Sequence, residues 1–162
     1  MPVNLGSRRR PVALTLLALL LSCLAVAVTA QPAAAASCYG STCNGKDPNA
    51  QGCSAVNVAA TQVWQSSFSV AMRYSSGCAA RWTRMIVDDY LHTCCVPMYI
   101  SIERQIYTPY GYARTHYYVK KVAAGLEGSF WTLMVQNSSD DRARSCWGIN
   151  DSTPNNCSGW IY

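Results

Sequence analysis

Charged side chains are scarce in this 162-residue chain, at 13% of all residues. Lys and Arg outnumber Asp and Glu by 13 to 8, but Arg8, Arg9 and Arg10 precede an apolar run that is expected to be removed with them. The remaining balance is 10 − 8 = +2, and the basic residues are scattered. Because specific nucleic-acid binders usually show a basic face or stripe, we expect no nucleic-acid partner.

Catalytic and metal-binding patterns are also scarce. The chain has only two histidines, His92 and His116, and an exported cysteine near His92 is expected to be oxidised rather than nucleophilic. The adjacent carboxylates Asp88-Asp89 and Asp140-Asp141 diverge on extended backbone, unlike glycosidase acids, and are best explained as solvated loop residues. Cys94-Cys95 lacks zinc-type spacing. We therefore expect no enzymatic activity, no cofactor and no metal site.

The N-terminus has the three parts of an export signal. The three arginines are followed by an uncharged apolar run over residues 12–28, and small residues occur at Ala30 and again at 34–36. This order predicts a signal peptide and cleavage region over residues 1–36, cut after Ala30 or Ala36. We expect residues 37–162 to form a single secreted domain that does not associate with a membrane after cleavage.

Cysteine is abundant downstream of this leader. An even number of cysteines after an export signal predicts a disulfide framework. If neighbours in sequence simply paired, Cys94 and Cys95 would be left to each other, and a bridge between adjacent residues is strained. We therefore expect at least one local pair not to form, and Cys94 and Cys95 to bond to two different elements, tying the middle of the chain to its ends. The eight cysteines are Cys38, Cys43, Cys53, Cys78, Cys94, Cys95, Cys146 and Cys157.

Period-two alternation dominates the secondary-structure signal. Apolar and polar residues alternate over 68–75 and again over 96–103, and further strands are expected over 117–122 and 130–136. Pro97 favours an edge position for its strand. Only residues 79–87 suit a short helical turn. The predicted fold class is all-β and mainly antiparallel, a small disulfide-stapled β sandwich or open barrel.

Two cysteine-containing segments resemble a known family. They are Cys38-Tyr39-Gly40-x-x-Cys43-x-Gly45-Lys46-Asp47-Pro48, followed by Gly52-Cys53, and Met72-Arg73-Tyr74-Ser75-x-x-Cys78-x-x-x-Trp82-x-Arg84. This pattern is similar to the YjfA-type family of small exported proteins of Gram-positive bacteria, a domain of unknown function. A weaker likeness continues to Cys146-Trp147, with residues 130–135 similar to the family's last strand. The resemblance implies an exported β module without assigned catalytic residues. Cys94, Cys95, Cys157 and a tyrosine-rich stretch depart from the pattern.

A structural interpretation of the signature is favoured over a functional one. Gly40 and Gly45 allow backbone angles closed to other residues, and Trp82 is large enough to fill a core. The two arginines, Arg73 and Arg84, are expected to pair with Asp47 or Asp88 beside the strands.

A tyrosine-rich stretch over residues 107–118 is the best candidate for a contact surface. Tyr offers a large area at little entropic cost, and Tyr and Arg are enriched in interface hot spots. The alternative is a hairpin that packs its rings in the core. The candidate partner-binding residues are Tyr107, Tyr110, Tyr112, Arg114, His116, Tyr117 and Tyr118.

Three functions remain open from the sequence. The leading hypothesis is a secreted noncatalytic binding or adaptor module that engages an extracellular protein partner or a cell-surface glycan, as part of a larger extracellular assembly. The second is a small secreted hydrolase or toxin with a site dispersed in sequence. The third is a secreted protease inhibitor, which ranks last because no inhibitor loop flanked by cysteines is evident.

Overall fold

The fold was obtained as a computed structural model that describes residues 35–64, 67–88 and 95–162. Residues 1–34 of the expected signal peptide and cleavage region, His92 and Cys94 lie outside the described residues. Within these ranges, a 3₁₀ turn at Gly40–Cys43 precedes nine β-strands. The strands are β1 (Val56–Trp64), β2 (Phe68–Ser75), β3 (Ala80–Val87), β4 (Met98–Thr108), β5 (Gly111–Val122), β6 (Gly128–Trp131), β7 (Val135–Gln136), β8 (Asp141–Ile149) and β9 (Asn156–Cys157).

The strands form two antiparallel sheets. The first has the order β1-β2-β3-β6, with β7 also pairing with β3, and the second has the order β5-β4-β8-β9. Neither sheet closes on itself, and the predicted all-β, mainly antiparallel class is confirmed; the two sheets pack face to face as a sandwich. Within the described chain no helix is long and apolar enough to cross a membrane.

The core lies between the two sheets. Phe68, Val70 and Met85 of the first sheet pack in one buried cluster with Ile100 and Trp147 of the second, among others. A neighbouring cluster joins Met72 and Val135 to Ile102 and Ala143. The alternation predicted for residues 68–75 and 96–103 therefore marks the inward faces of β2 and β4.

Residues 79–87 are not helical, and that expectation is wrong. They form β3, which hydrogen-bonds to β2 on one side and to β6 and β7 on the other. Its period-two signal is weak because Arg81 and Thr83 lie on the inward face with Met85 and Val87. Arg81 Nη1 donates to the Ile161 carbonyl at 2.8 Å, and Thr83 Oγ1 donates to the Ser101 carbonyl at 2.7 Å. Partners across the sandwich thus satisfy polar groups at core positions.

The edge position expected from Pro97 is also wrong. Strand β4 lies between β5 and β8, and Pro97 stands immediately before the strand's first residue, Met98. A proline there removes no hydrogen bond from the ladder, and its carbonyl accepts from Asn150 N at 2.8 Å. The expected strand over 130–136 divides into β6 and β7, which pair with different parts of β3.

Disulfide bonds are confirmed, but the expected pairing is wrong. All three local bridges form: Cys38–Cys43, Cys53–Cys78 and Cys146–Cys157. Cys95 is also disulfide-bonded. Because those six cysteines pair with one another, Cys95 is not bonded to any of them, and the prediction for Cys94 lies outside the described residues. Two bridges pack together against Trp82 and Met134 on the outer face of the first sheet, which explains their burial.

Candidate functional site

The tyrosine-rich stretch forms the hairpin between β4 and β5. Tyr107 and Tyr112 face each other across the two strands, and their ring centroids are 5.4 Å apart in an edge-on arrangement. Gly111 has a φ of 105°, a backbone conformation that non-glycine residues rarely adopt. Tyr110 is 100% exposed at the tip of the turn. The hairpin therefore presents aromatic rings to solvent at one end of the second sheet.

The outer face of β4 and β5 continues this surface with an ionic centre. Glu103, whose side chain is 2% exposed, accepts from Arg114 Nε at 2.8 Å and from Arg144 Nε at 2.9 Å. The guanidinium carbon of Arg114 also lies 4.8 Å from the centroid of the Tyr117 ring. One buried carboxylate thus orients two arginines from neighbouring strands towards the outer face.

The pKa of Glu103 reflects this arrangement. Burial by itself tends to raise the pKa of the carboxyl group, but the hydrogen bonds from Arg114 and Arg144 lower it, with a smaller contribution from Gln105. The net pKa lies below the ordinary value of 4.5. Glu103 therefore stays ionised at neutral pH and holds its two arginines in place.

The C-terminal segment contributes to the same surface. The guanidinium carbon of Arg142 lies 3.6 Å from the centroid of the Tyr112 ring and 4.3 Å from that of Trp160. Arg144 lies 4.5 Å from the Trp160 ring, and Tyr162 lies 6.4 Å from Tyr112 in an edge-on arrangement. Arg142 and Arg144 are therefore stacked on aromatic rings and also hydrogen-bonded, Arg142 to Gln105 and Arg144 to Glu103. Such cation–π contacts stabilise a planar guanidinium in one orientation.

These residues form one continuous surface, here called the aromatic–arginine face. Its C-terminal half was not predicted from the sequence. The available signal was the alternation of Trp160, Ile161 and Tyr162, in which Ile161 pairs with Ala143 and packs inward. The face consists of Tyr107, Tyr112, Arg114, Tyr117, Arg142, Arg144, Trp160 and Tyr162, with Glu103 beneath it.

Two of the seven predicted contact residues lie on the inward side of β5. Tyr118 packs against the core cluster that contains Ile102, and its ring centroid is 6.1 Å from that of His116. Their neighbour Arg104 belongs to a buried ion pair with Asp141, in which the Nη2 and Oδ1 atoms are 2.8 Å apart. Asp141 is therefore buried and paired, and its interpretation as a solvated loop residue is wrong.

His116 lies beside a cation rather than an activating carboxylate. Its Nδ1 is 3.2 Å from Arg104 Nη1 and 3.2 Å from Thr115 Oγ1. Burial, followed by the positive charge of Arg104, lowers the pKa of His116 below its ordinary value of 6.5. Arg104 takes both oxygens of Asp141, so no carboxylate among the described residues orients the imidazole as in a Ser-His-Asp site.

The first signature segment, residues 38–53, folds as a structural turn, whereas the second, residues 72–84, spans the hairpin of β2 and β3. Gly40 and Gly45 have φ values of 56° and 74°. Asp47 Oδ1 accepts from the backbone N–H groups of Asn49 and Ala50 at 2.9 and 3.0 Å. Asp47 Oδ2 accepts from Trp131 Nε1 at 2.7 Å.

The ion pairs expected for the signature arginines are not observed, and that expectation is wrong. Arg73 donates to neutral oxygens, at 2.7 Å to Asn57 Oδ1 and also to the Ala55 carbonyl. Asp47 is engaged by the turn and by Trp131 instead. Arg84 forms no ion pair with any residue that the structure describes.

The two bridges near the N-terminus bring four sulfur atoms together. The Sγ atoms of Cys38, Cys43, Cys53 and Cys78 all lie within 4.8 Å of one another and are buried. A metal would be held by thiolates, whereas these sulfurs are joined as two disulfides. The cluster is therefore a covalent core for the turn and the outer side of β3.

The fold and the surface define a class: a small disulfide-stapled β sandwich whose second sheet bears an aromatic–arginine face. The chain belongs to the family described as Protein of unknown function (DUF2690), whose family model matches residues 41–146. No curated protein matches it. No solved structure matches it either. The matched residues run from the 3₁₀ turn into β8, so Trp160 and Tyr162 lie beyond the family match.

Proposed function

We propose that the protein is a secreted, noncatalytic binding module that contacts an extracellular partner through its aromatic–arginine face. The observation that carries this proposal is the stacking of Arg142 between Tyr112 and Trp160, at 3.6 and 4.3 Å from the ring centroids. Arg, Tyr and Trp dominate interface hot spots, and here they are already fixed in one arrangement. A fixed surface loses little conformational entropy on binding.

Charge favours a protein partner with an acidic surface. The face carries three arginines, Arg114, Arg142 and Arg144, against one carboxylate, Glu103, so its side chains sum to +2. Electrostatic complementarity chiefly speeds association and selects the partner. A cell-surface glycan is the alternative partner, because sugars also stack on aromatic rings; it is an outcome of the experiment below.

The extracellular setting is part of the same proposal. It includes a signal peptide over residues 1–36, cut after Ala30 or Ala36, and a mature domain over 37–162. Three disulfide bonds support it, since disulfides persist in oxidising compartments. Membership of the YjfA-type exported proteins of Gram-positive bacteria is likewise proposed, on the signature residues between Cys38 and Arg84.

The test compares wild-type protein with the triple variant Tyr112→Ala, Arg142→Ala and Trp160→Ala. Each is immobilised in oxidised form and exposed to medium from the native culture, and the captured partner is purified and its affinity measured. We expect the triple variant to bind at least about tenfold more weakly, since hot-spot truncations typically cost more than a factor of ten. Prior glycosidase treatment of the partner distinguishes a glycan epitope from a protein surface.

Tyr39→Ala is the matched control. Tyr39 is 67% exposed, stands beside the 3₁₀ turn and is not one of the residues of the aromatic–arginine face. Its removal should leave affinity unchanged. Full binding by the triple variant, or equal losses in both proteins, would refute the assignment of this face.

A further inference from the structure

A pocket lies on the outer face of the first sheet. Strand pairing places Arg73 opposite Trp82 and Arg84 opposite Trp131, so the four side chains share one face. They line a pocket of about 200 Å³ that is also bordered by Asn49, Cys53 and Ser129. We call it the Arg73–Arg84 pocket. Arg73, Trp82 and Arg84 all belong to the sequence signature described above.

Arg84 has unsatisfied hydrogen-bonding capacity in this pocket. Its Nε atom is buried and has no hydrogen-bond partner in the part of the chain that the structure describes. Buried donors are normally paired, and a buried unpaired donor in a native protein requires an explanation. A guanidinium presents its donors in a planar fork that matches carboxylate, sulfate and phosphate oxygens.

The second arginine adds a like charge beside the first. Burial and then the nearby charge of Arg84 lower the pKa of Arg73. The nearby Asp47 directs its carboxylate to the turn and to Trp131. The ion pairs found among the described residues join Arg104, Arg114 and Arg144 to acids of the second sheet. Two adjacent guanidinium groups in the pocket therefore lack a counter-charge from the described residues there.

We propose that the Arg73–Arg84 pocket binds an oxyanion, the carboxylate, sulfate or phosphate group of a ligand, through the forked donors of Arg84 and the remaining donors of Arg73. Asn49 and Ser129 supply neutral hydrogen-bonding side chains at the pocket wall. The ligand neutralises the arginine pair and satisfies the buried Nε atom. The site is independent of the aromatic–arginine face, because it lies on the other sheet and uses none of the same residues.

Nuclear magnetic resonance titration tests this proposal on the purified oxidised protein. Acetate, sulfate and phosphate are added separately, with sodium chloride adjusted to keep ionic strength constant. We expect saturable shifts of the Arg84 Nε–H signal and of the Trp82 and Trp131 indole N–H signals with at least one anion. The indole signals of Trp147 and Trp160, which lie elsewhere in the fold, are internal controls and should stay unchanged.

Variants separate a specific site from general salt effects. Arg84→Gln should weaken binding at least about tenfold, because a charge-assisted hydrogen bond is removed. Arg84→Lys should retain part of the affinity, since the charge remains without the fork. Lys121→Gln, an exposed substitution on β5, should bind as the wild type. Non-saturating shifts, or equal affinity for the wild type and Arg84→Gln with native spectra in both, would overturn the proposal.

Discussion

Arginines occupy both outer faces of the sandwich, but their partners differ. On the second sheet, Arg114 and Arg144 share Glu103, while Arg142 is stacked between two rings. On the first sheet, Arg84 has a buried Nε atom with no partner among the described residues. The comparison distinguishes arginines whose partners are side chains of the fold from Arg84, for which we propose a ligand as the partner. Substitution of each partner tests that distinction.

The largest loss of stability is expected at the buried ion pair between Arg104 and Asp141. Asp141→Asn removes the charge that Arg104 contacts at 2.8 and 2.9 Å, with both side chains under 10% exposed. Because an uncompensated guanidinium then remains inside the fold, we expect a loss of about 3–5 kcal/mol in the free energy of unfolding. Urea unfolding followed by tryptophan fluorescence measures it. Asp140→Asn, next to it but exposed, should change stability by less than about 0.5 kcal/mol, and similar losses in both variants would contradict this ranking.

A smaller effect is expected beneath the aromatic–arginine face. Glu103→Gln weakens the bonds to Arg114 and Arg144, but both arginines reach water, at 56% and 31% side-chain exposure, so we expect a loss of about 2 kcal/mol. Urea unfolding at neutral pH measures this loss. The two arginines that contact Glu103 determine the size of this loss. If Glu103→Gln lowers the free energy of unfolding as much as Asp141→Asn does, the buried and the surface ion pairs do not differ as described.

The same carboxylate predicts a pH dependence. The folded-state pKa of Glu103 lies below 4.5, so its contribution to stability is present above that pH and is lost as pH falls through the folded-state pKa. The stability difference between wild type and Glu103→Gln should therefore shrink on acidification below about pH 4.5. A difference that stays constant down to about pH 3 would show that Glu103 does not titrate as described.

The smallest effect is expected for the unpaired arginine. Arg84→Gln should change the free energy of unfolding by less than about 0.5 kcal/mol, with a slight gain because repulsion from Arg73 is removed. Arg81→Gln on the same strand is the matched control. Arg81 is 4% exposed and donates to the Ile161 carbonyl at 2.8 Å, so its loss should cost about 1–3 kcal/mol. A large loss from Arg84→Gln would assign that side chain a structural role instead.

Part of this architecture follows from sequence patterns alone. The alternation over residues 68–75 and 96–103 correctly predicts β2 and the first half of β4, because an apolar residue at every second position faces the core. Strand β3 escapes prediction because Arg81 and Thr83 occupy inward positions that hydrogen bonds across the sandwich satisfy. The sequence pattern within the strand gives no information about these partners, which are distant in the chain.

The residues of the aromatic–arginine face are harder to predict from the sequence for the same reason. The hairpin tyrosines are close in sequence and can be recognised there, whereas Trp160 reaches Arg142 only after the chain returns along β8. The disulfide pairing differs from expectation because all three pairs of sequence neighbours among the described cysteines do form. Two of these bridges join residues that the local fold already brings together, Cys38 and Cys43 at the 3₁₀ turn and Cys146 and Cys157 on the paired strands β8 and β9.

The short reach of the three described bridges has a mechanical consequence. They span 5, 25 and 11 residues, and the first two lie with the first sheet while the third staples β8 to β9 in the second. None of these three joins one sheet to the other, and the contacts that hold the two layers together are those of the buried side chains between them. A force that pulls the two layers apart therefore acts on the packing between them, and each of these three sulfur links stays within its own layer.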